Sequence, residues 1–173
     1  MYSYSKIQTF ISCPLKYRLK YISGIKTDKQ FVEHLLGKVV HKTLENVYAE
    51  KMRGNTKTLQ QSLAFYENNW QSNYTPNTII SEGKASDYLE KGVKCIEYYY
   101  EKHFPFEEDE TLAVEKKLFF KVKDRQFIGF IDRVSKNGET TIIHDYKTGY
   151  EYDTKEDLQL PLYQIGFTQD SKQ

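Results

Sequence analysis

The sequence is poor in the features that define several protein classes. Its only cysteines, Cys13 and Cys95, cannot form a disulfide framework, which favours a reducing, cytoplasmic location. No apolar run approaches the roughly 20 residues that span a bilayer, and the polar N-terminus lacks the apolar core of a secretory signal. Lysine and arginine number 25 against 24 aspartates and glutamates, so the net charge of +1 neither favours nor excludes a nucleic acid partner. No glycine-rich phosphate-binding loop is present, which disfavours a small-molecule phosphatase.

Aromatic residues carry much of the hydrophobic content. The chain has 15 tyrosines and 10 phenylalanines, and 39% of its residues are hydrophobic, which excludes a disordered polyelectrolyte. A length of 173 residues fits one domain with a core, so we expect a single domain over 1–173. Helical periodicity dominates 1–110 and strand alternation dominates 111–173, with no linker or repeat between them. This order of elements predicts an α+β fold.

Five helical segments are predicted in the first half. Leucines and valines on one arc of a helical wheel mark the longest, 31–52, and Gly54 would end it. The other four are a short helix capped by Ser3 or Ser5, a helix from Pro14 to about residue 21, and helices over 58–74 and 86–103.

The second half predicts three strands followed by a helix. The strands span 112–122, 125–135 and 140–147, and their short connections make them an antiparallel meander flanked by the helices. The final helix is predicted to start at Thr154, to use Asp157 in its cap and to run through Tyr163.

Pairing of the last two strands brings two aspartates together. The Asn-Gly dipeptide at 137–138 is typical of a two-residue type I′ hairpin turn. With that turn, Asp132 pairs with Ile143. Asp132 and Asp145 then lie diagonally on one face of the sheet.

A third acid and a lysine join this face. If 123–124 also forms a two-residue turn, Glu115 lies directly opposite Asp132. Lys147 follows Asp145 by two residues, and strand alternation sends both side chains to the same side. Three clustered carboxylates repel one another unless a cation holds them, and oxygen ligands suit Mg²⁺ or Mn²⁺. With a lysine beside the ion, such a site is suited to hydrolysis of phosphodiesters.

The same charges have a simpler interpretation. Asp132 with Arg133, and Asp145 with Lys147, would also make ordinary salt bridges along the strands. Such surface pairs are common and carry no catalytic meaning. Spacing alone leaves both interpretations open.

The residues around these acids form a recognisable set of motifs. GFIDR at 129–133, followed by HDYKTG at 144–149, resembles the RecB-like branch of the PD-(D/E)XK nuclease superfamily, which is related to the CRISPR-associated adaptation nucleases. Other motifs of that branch have counterparts here: Gly37 and His41 for GxxxH, Glu115 for a strand acid, Gln159 and Tyr163 for QxxxY, Ser3 and Ser5 for SxS, and Cys13, Pro14 and Tyr17 for CPxxY.

The resemblance implies a restriction-endonuclease-like core and assigns roles to individual residues. The implied metal ligands are His41, Asp132, Asp145 and the backbone carbonyl of Tyr146. Lys147 takes the catalytic role together with Asp132 and Asp145, and Glu115 supports or supplements the metal shell. A lone helical histidine is often structural, so the assignment of His41 depends on the resemblance.

Nucleic acid contacts are implied for the final helix and stay open for the N-terminal segment. The resemblance directs Gln159 and Tyr163 at the active site and the nucleic acid, whereas their spacing alone fits a capped helix with a packed tyrosine equally well. Tyr17, Arg18 and Lys20 have the aromatic and basic mixture that single-strand binders use. Amphipathic packing explains these three residues equally well.

Two departures from the branch affect cofactor and assembly. Its members with an iron–sulfur cluster use a cysteine placed like Cys13 and three more near the C-terminus. The only other cysteine here is Cys95, so no iron–sulfur cluster is expected from this chain alone. The superfamily core also continues with a strand after the QxxxY helix, whereas the sequence stops ten residues past Tyr163. We therefore expect the C-terminal core strand to be missing, either because the sequence is a fragment or because a second copy or a partner chain completes the sheet.

These observations favour a Mg²⁺- or Mn²⁺-dependent deoxyribonuclease. We expect it to hydrolyse phosphodiester bonds of single-stranded DNA or duplex ends, more as an exonuclease than as an endonuclease. DNA repair, recombination or CRISPR-type processing is the setting that the resemblance implies. The alternatives are a non-catalytic nucleic-acid-binding or assembly module and an incomplete fragment that needs a partner.

Overall fold

A computed structural model describes residues 1–149 and 157–170. These residues group into two compact units, unit 1 with Met1–Thr27, Glu115–Ile131 and 157–170, and unit 2 with Asp28–Val114 and 132–149. The helices within the described ranges are α1 Tyr4–Ser12, α2 Pro14–Tyr17, α3 Val32–Met52, α4 Leu59–Asn73, α5 Ala85–His103 and α6 Gln159–Asp170, with a π-helical turn at Arg18–Ile22. The strands are β1 Gln30–Phe31, β2 Thr78–Ile79, β3 Glu110–Val122, β4 Arg125–Asn137 and β5 Thr140–His144. None of the helices described here combines the length and the apolarity that crossing a membrane requires.

The core of unit 2 forms between helices α3, α4 and α5. Apolar residues recur every three or four positions along α3 and are buried: Val32, Leu35, Leu36, Val39, Val40, Leu44, Val47 and Tyr48. Tyr66 and Trp70 of α4 and Ile96 and Tyr100 of α5 belong to the same cluster. Because full burial of one large apolar side chain contributes roughly 1.5–3 kcal/mol, α3 supplies a large part of the hydrophobic stabilisation of unit 2.

Local signals set the helix ends close to the predicted positions. Thr58 and Gln61 form a reciprocal capping box, in which each side chain accepts the backbone N–H of the other at 3.3 and 2.9 Å. Gly54, two residues past the end of α3, adopts a φ of +85°, a left-handed conformation that glycine enters at little cost. The helices predicted over 31–52, 58–74 and 86–103 are therefore confirmed to within a residue.

Unit 1 is organised by contacts of its two terminal segments with the strands. The N–H of Tyr2 donates to the carbonyl of Gln126 at 2.8 Å, and the N–H of Ile128 donates to the carbonyl of Tyr2 at 2.9 Å. On α6, a Cβ added to Gly166 would lie 2.6 Å from the ring of Phe120 on β3. Glycine at this position allows α6 to approach the strand closely.

The strands of the larger sheet are arranged in the order β3-β4-β5, which confirms the predicted α+β fold with an antiparallel three-strand meander. The register of the last two strands differs from the prediction. Val134 pairs with Ile143 and Asn137 with Thr140, so the turn lies at 138–139. The predicted pairing of Asp132 with Ile143 is wrong.

The backbone of Gly138 explains this register. Gly138 has a φ of +57° and occupies the first central position of the turn, where a type II′ turn requires positive φ. The predicted type I′ turn would need positive φ at Asn137 as well, and Asn137 does not adopt it. The pairing shifts by two residues, so every side chain keeps its predicted face. Continued by one residue, the observed register places Asp145 directly across from Asp132.

Other elements also depart from the prediction. Strand β5 ends at His144, so residues 145–147 follow the strand rather than belong to it. Helix α6 begins at Gln159, whose N–H is accepted by the carboxylate of Asp157 at 2.8 Å; the predicted start at Thr154 lies outside the described residues. Strands β1 and β2 were not predicted, because a parallel pair of two residues each is too short to show alternation.

Candidate active site

Two aspartates lie at the end of the pairing between β4 and β5. Asp132 directly precedes Arg133, and Asp145 directly follows His144, and these two inner residues form the last pair of the ladder at this end. By strand alternation, Asp132 points to the opposite face of the sheet from Arg133. Asp145 follows the strand directly and is close enough for the charge of Asp132 to act on it. Two carboxylates therefore lie near each other at this end of the β4–β5 pairing.

Helix α3 contributes a histidine to the same place. Nδ1 of His41 lies 3.2 Å from Oδ1 of Asp132, and Oδ2 of Asp132 accepts the backbone N–H of Tyr146 at 2.6 Å. One helical turn before the histidine, Gly37 faces the segment after β5, because a Cβ there would lie 3.4 Å from Oγ1 of Thr148. The spacing of Gly37 and His41 thus lets α3 approach this segment closely and lets the imidazole reach the carboxylate.

Asp145 is largely buried and contacts a lysine. Its carboxylate is paired with the ammonium group of Lys147, which is half exposed. Burial raises the pKa of Asp145, and the negative charge of Asp132 raises it further, against the opposing effects of Lys147 and His41. The net shift is upward, so this environment disfavours the charged carboxylate, which a bound cation would favour.

Two of the predicted metal ligands, His41 and Asp132, are hydrogen-bonded to each other rather than arranged around a shared metal position. Across 1–149 and 157–170, no group of three or more His, Cys, Asp or Glu residues is arranged to hold a metal ion. Both oxygens of Asp132 and one oxygen of Asp145 already have protein partners. The donor set nevertheless fits a divalent ion, because one imidazole and two neighbouring carboxylates, with water completing the shell, suit Mn²⁺ or Mg²⁺.

Comparison with protein families agrees with this arrangement. The family model of the PD-(D/E)XK nuclease superfamily matches residues 1–173. The chain belongs to this superfamily. No curated protein matches the chain significantly. Membership of the PD-(D/E)XK superfamily confirms the predicted nuclease class, and the mixed helix and sheet structure is consistent with its restriction-endonuclease-like fold.

A buried polar network lies on the other face of the same strands of this PD-(D/E)XK protein. Nη1 and Nη2 of Arg133 donate to the two carboxylate oxygens of Asp109 at 2.6 and 3.2 Å. The Ser135 hydroxyl donates to Asp109 at 2.7 Å and lies 2.7 Å from Nε2 of His144. Because the single hydroxyl proton is used on Asp109, Nε2 of His144 must be the donor to Ser135. Nδ1 of His144 is then free to accept from Arg133, 3.2 Å away.

The network holds one ion pair and a neutral histidine. Burial alone would raise the pKa of Asp109, but hydrogen bonds from Arg133 and Ser135 outweigh it and hold this pKa below its usual range. Burial and the charge of Arg133 lower the pKa of His144 to about 4. Ser135 is fully buried and gives its proton to a carboxylate, so these residues do not form a hydrolytic triad.

The contacts of Arg133 test the simpler interpretation, in which the charged residues of the strands form ordinary salt bridges. Arg133 pairs with Asp109 and not with Asp132, so the ordinary salt bridge between sequence neighbours is wrong for Arg133. The contact of Asp145 with Lys147 is present. Asp109 was not predicted as a functional residue, because it lies in an acidic turn that nothing in the sequence distinguishes from other surface turns. The available signal was Arg133 itself, an inward-facing strand position whose buried charge requires a partner.

Tyrosine side chains fix the segment that carries Lys147. The hydroxyl of Tyr146 lies 3.5 Å from that of Tyr99, which lies 2.7 Å from that of Tyr48. The guanidinium of Arg133 lies 4.0 Å from the ring centroid of Tyr48. Burial raises the pKa of all three tyrosines, so they stay protonated and able to donate. The backbone of Tyr146, next to both Asp145 and Lys147, is thereby tied to α3 and α5.

Glu115, the third predicted acid, lies in unit 1 and is exposed. It has a φ of +47°, and the more buried positions of β3 change there from 111 and 113 to 114, 116, 118 and 120. Regular alternation is thus interrupted, as at a β-bulge, so the turn at 123–124 does not by itself determine which residue lies opposite Glu115. Its predicted place opposite Asp132 and its role in the metal shell stay predictions.

The QxxxY pair also lies in unit 1. Nε2 of Gln159 donates to the hydroxyl of Tyr163 at 3.1 Å. The Tyr163 ring is buried, and a Cβ added to Gly129 would lie 2.9 Å from it. This packing agrees with the alternative of a packed tyrosine. The predicted contact of the pair with nucleic acid, like that of the segment 17–20, stays a prediction.

Proposed function

We propose that the protein is a Mg²⁺- or Mn²⁺-dependent DNA nuclease of the RecB-like exonuclease type. The observation that carries the proposal is the convergence of His41, Asp132, Asp145 and Lys147 at one end of the β4–β5 pairing. The superfamily supplies the nuclease class. The GxxxH, DYKTG and QxxxY motifs support the RecB-like branch and its settings in DNA repair, recombination or CRISPR-type processing.

The proposed metal ligands are His41, Asp132, Asp145 and the carbonyl of Tyr146. Nδ1 of His41 and Oδ1 of Asp132 face each other at 3.2 Å, so both can turn to a shared ion in exchange for their mutual contact. The bound ion would polarise the scissile phosphate and lower the pKa of the attacking water. The N–H of Tyr146 keeps the second oxygen of Asp132 in place while the first oxygen binds.

Lys147 is the proposed catalytic lysine. Its side chain is half exposed, and its ammonium group lies beside the buried carboxylate of Asp145. From this position it can turn towards a phosphate oxygen or a water molecule. There it would orient the water for in-line attack and stabilise the additional negative charge of the transition state. We assign Glu115 a supporting role and Gln159 and Tyr163 contacts with the DNA.

Digestion of linear and circular single-stranded DNA of equal length tests the proposal. We expect degradation with Mn²⁺ or Mg²⁺, none with EDTA, and a strong preference for the linear substrate, because an exonuclease needs an end. Asp145→Asn keeps the size of the side chain and should lower the rate by about 100-fold or more, as loss of one preorganised charged group commonly does.

The control is Asp124→Asn, a change of the same type at the exposed turn between β3 and β4. This variant should cleave like the wild type. Equal cleavage of circular and linear DNA would overturn the exonuclease assignment. Full activity of Asp145→Asn would overturn the site.

A second candidate function is a non-catalytic nucleic-acid-binding module. It is favoured by the contacts of the two aspartates, because both oxygens of Asp132 and one oxygen of Asp145 already have protein partners. Retention of DNA without cleavage under every metal condition, by a chain with a native circular dichroism spectrum, would support this candidate.

A further inference from the structure

The N-terminal helical segment Tyr4–Ile22 has no buried residue. Helices α1 and α2 and the π-helical turn are all partly or fully exposed, whereas α3 buries nine residues. Large apolar side chains of the segment are exposed to solvent: Phe10, Ile11, Leu15, Leu19 and Ile22. Several large exposed apolar side chains on one short segment are typical of a binding surface rather than of a helix that stabilises a core.

The charge of the same part of the chain is strongly positive. Residues 1–29 contain six lysines and arginines and one aspartate, whereas residues 30–173 contain nineteen basic and twenty-three acidic residues. The near-neutral total thus conceals a basic segment on an otherwise acidic chain. This asymmetry is complementary to a polyanion.

The segment also contains a cavity of about 240 Å³. It is lined by Tyr2, Lys6, Ile7, Phe10 and Tyr17. One wall is held in place, because Tyr2 makes two backbone hydrogen bonds to β4. The rings of Phe10 and Tyr17 meet edge to face with their centroids 5.4 Å apart. An aromatic-lined cavity on a fixed support can receive a flat, apolar ring.

Cations lie over the ring of Tyr21, which neighbours the cavity. The ammonium groups of Lys6 and Lys20 lie 5.4 and 5.2 Å from the ring centroid of Tyr21, and this ring lies 5.2 Å from that of Tyr17. Aromatic faces next to lysines can stack bases while the ammonium groups contact phosphates. A lipid surface or a protein partner would use the exposed aliphatic residues and would not require this arrangement.

We propose that the cavity binds one unpaired nucleobase of a single strand whose phosphates are held by the basic residues of 16–20. The inference deepens the proposed function, on which it rests, by making single-stranded DNA the preferred substrate. Bases in a duplex are paired and stacked, so they cannot enter the cavity. The site is distinct from the metal-site residues, since its walls are made by unit 1 alone.

Fluorescence anisotropy with labelled oligonucleotides tests the inference, with EDTA present so that no cleavage occurs. The probes are a thymidine oligonucleotide, an abasic strand of the same length and a duplex. Phe10→Ala removes a ring of the cavity and should weaken thymidine binding by about tenfold or more, within the range measured for stacked bases. It should leave the weaker binding of the abasic strand unchanged.

Leu15→Ala is the matched control. Leu15 is 62% exposed and Phe10 is 54% exposed on the same segment, but Leu15 does not line the cavity. Leu15→Ala should bind all three probes like the wild type, and Phe10→Trp, which restores an aromatic ring, should regain binding. Circular dichroism spectra of the variants report whether each has folded.

Three results would overturn the inference. The first is equal affinity of the wild type for the abasic and thymidine strands. The second is an equal loss of binding in Phe10→Ala and Leu15→Ala. The third is preferential binding of the chain to anionic lipid vesicles with no base dependence.

This test is separate from the test of cleavage. Cleavage without base-dependent binding would overturn the cavity and leave the nuclease proposal intact. Base-dependent binding without cleavage at any metal concentration would support the cavity and overturn the nuclease.

Discussion

Removal of Asp109 should strongly destabilise unit 2. The carboxylate accepts two hydrogen bonds from Arg133 and one from Ser135. In Asp109→Ala, the guanidinium, whose side chain is 5% exposed, and the fully buried serine both lose this partner. Removing one member of a buried ion pair costs about 3–5 kcal/mol, because the other charge stays buried without compensation. For a chain of this length, this corresponds to a fall in Tm of about 6–20 °C.

Urea unfolding followed by tryptophan fluorescence measures the effect. The single tryptophan, Trp70, is buried in unit 2 together with the network and reports on its unfolding. The control is Glu108→Ala at the neighbouring position, where an exposed contact with His103 is removed and a change below about 1 kcal/mol is expected. If Asp109→Ala were no more destabilised than Glu108→Ala, the pair with Arg133 would not have the assigned role.

Three further predictions concern pH, packing and metal binding. The pKa of Asp109 is lower in the folded than in the unfolded state. Its contribution to the free energy of unfolding is therefore complete above about pH 4 and is lost as the pH falls through the folded-state pKa. Asp109→Asn should therefore lose less unfolding free energy than the wild type between pH 5 and pH 3 in urea titrations; an equal loss would contradict the shift. Gly92→Ala should lower the unfolding free energy by about 1–3 kcal/mol, because the added methyl group would overlap the Tyr66 ring and hydroxyl; unchanged stability would refute this close packing. In calorimetric titration with Mn²⁺, Asp132→Asn should bind at least about tenfold more weakly than Asp124→Asn, and equal affinities would exclude Asp132 as a ligand.

The helical part of the fold was predictable because its signals are local. The apolar arc of α3 and the capping box at Thr58 are set by residues within one or two helical turns. The strands and their antiparallel order followed from alternation and short connections. The register of the hairpin could not be predicted in this way, because Gly138 fits a turn at 137–138 as well as one at 138–139. The pairing along both strands decides between the two turns.

The candidate site was predictable as a set of residues but not as a geometry. The error in register does not change the predicted placement of Asp132 and Asp145 on one face, since a shift of two residues leaves each side chain on the same side of the sheet. The contact of His41 with Asp132 joins positions 91 residues apart, and only the resemblance to known motifs pointed to it. Asp109 and Ser135 were not predicted, because a buried polar network depends on tertiary packing and leaves no periodic pattern in the sequence.

The cleavage rate of the Lys147→Ala variant tests the central claim most directly. The measurement is the single-turnover rate on end-labelled single-stranded DNA in Mn²⁺, with Lys136→Ala as a control at an exposed lysine of β4. If Lys147 orients the water and stabilises the transition state, the Lys147→Ala rate should fall by about 100-fold or more while Lys136→Ala cleaves like the wild type. Equal rates for the two variants would contradict the assignment of Lys147 and the hydrolytic site built around it.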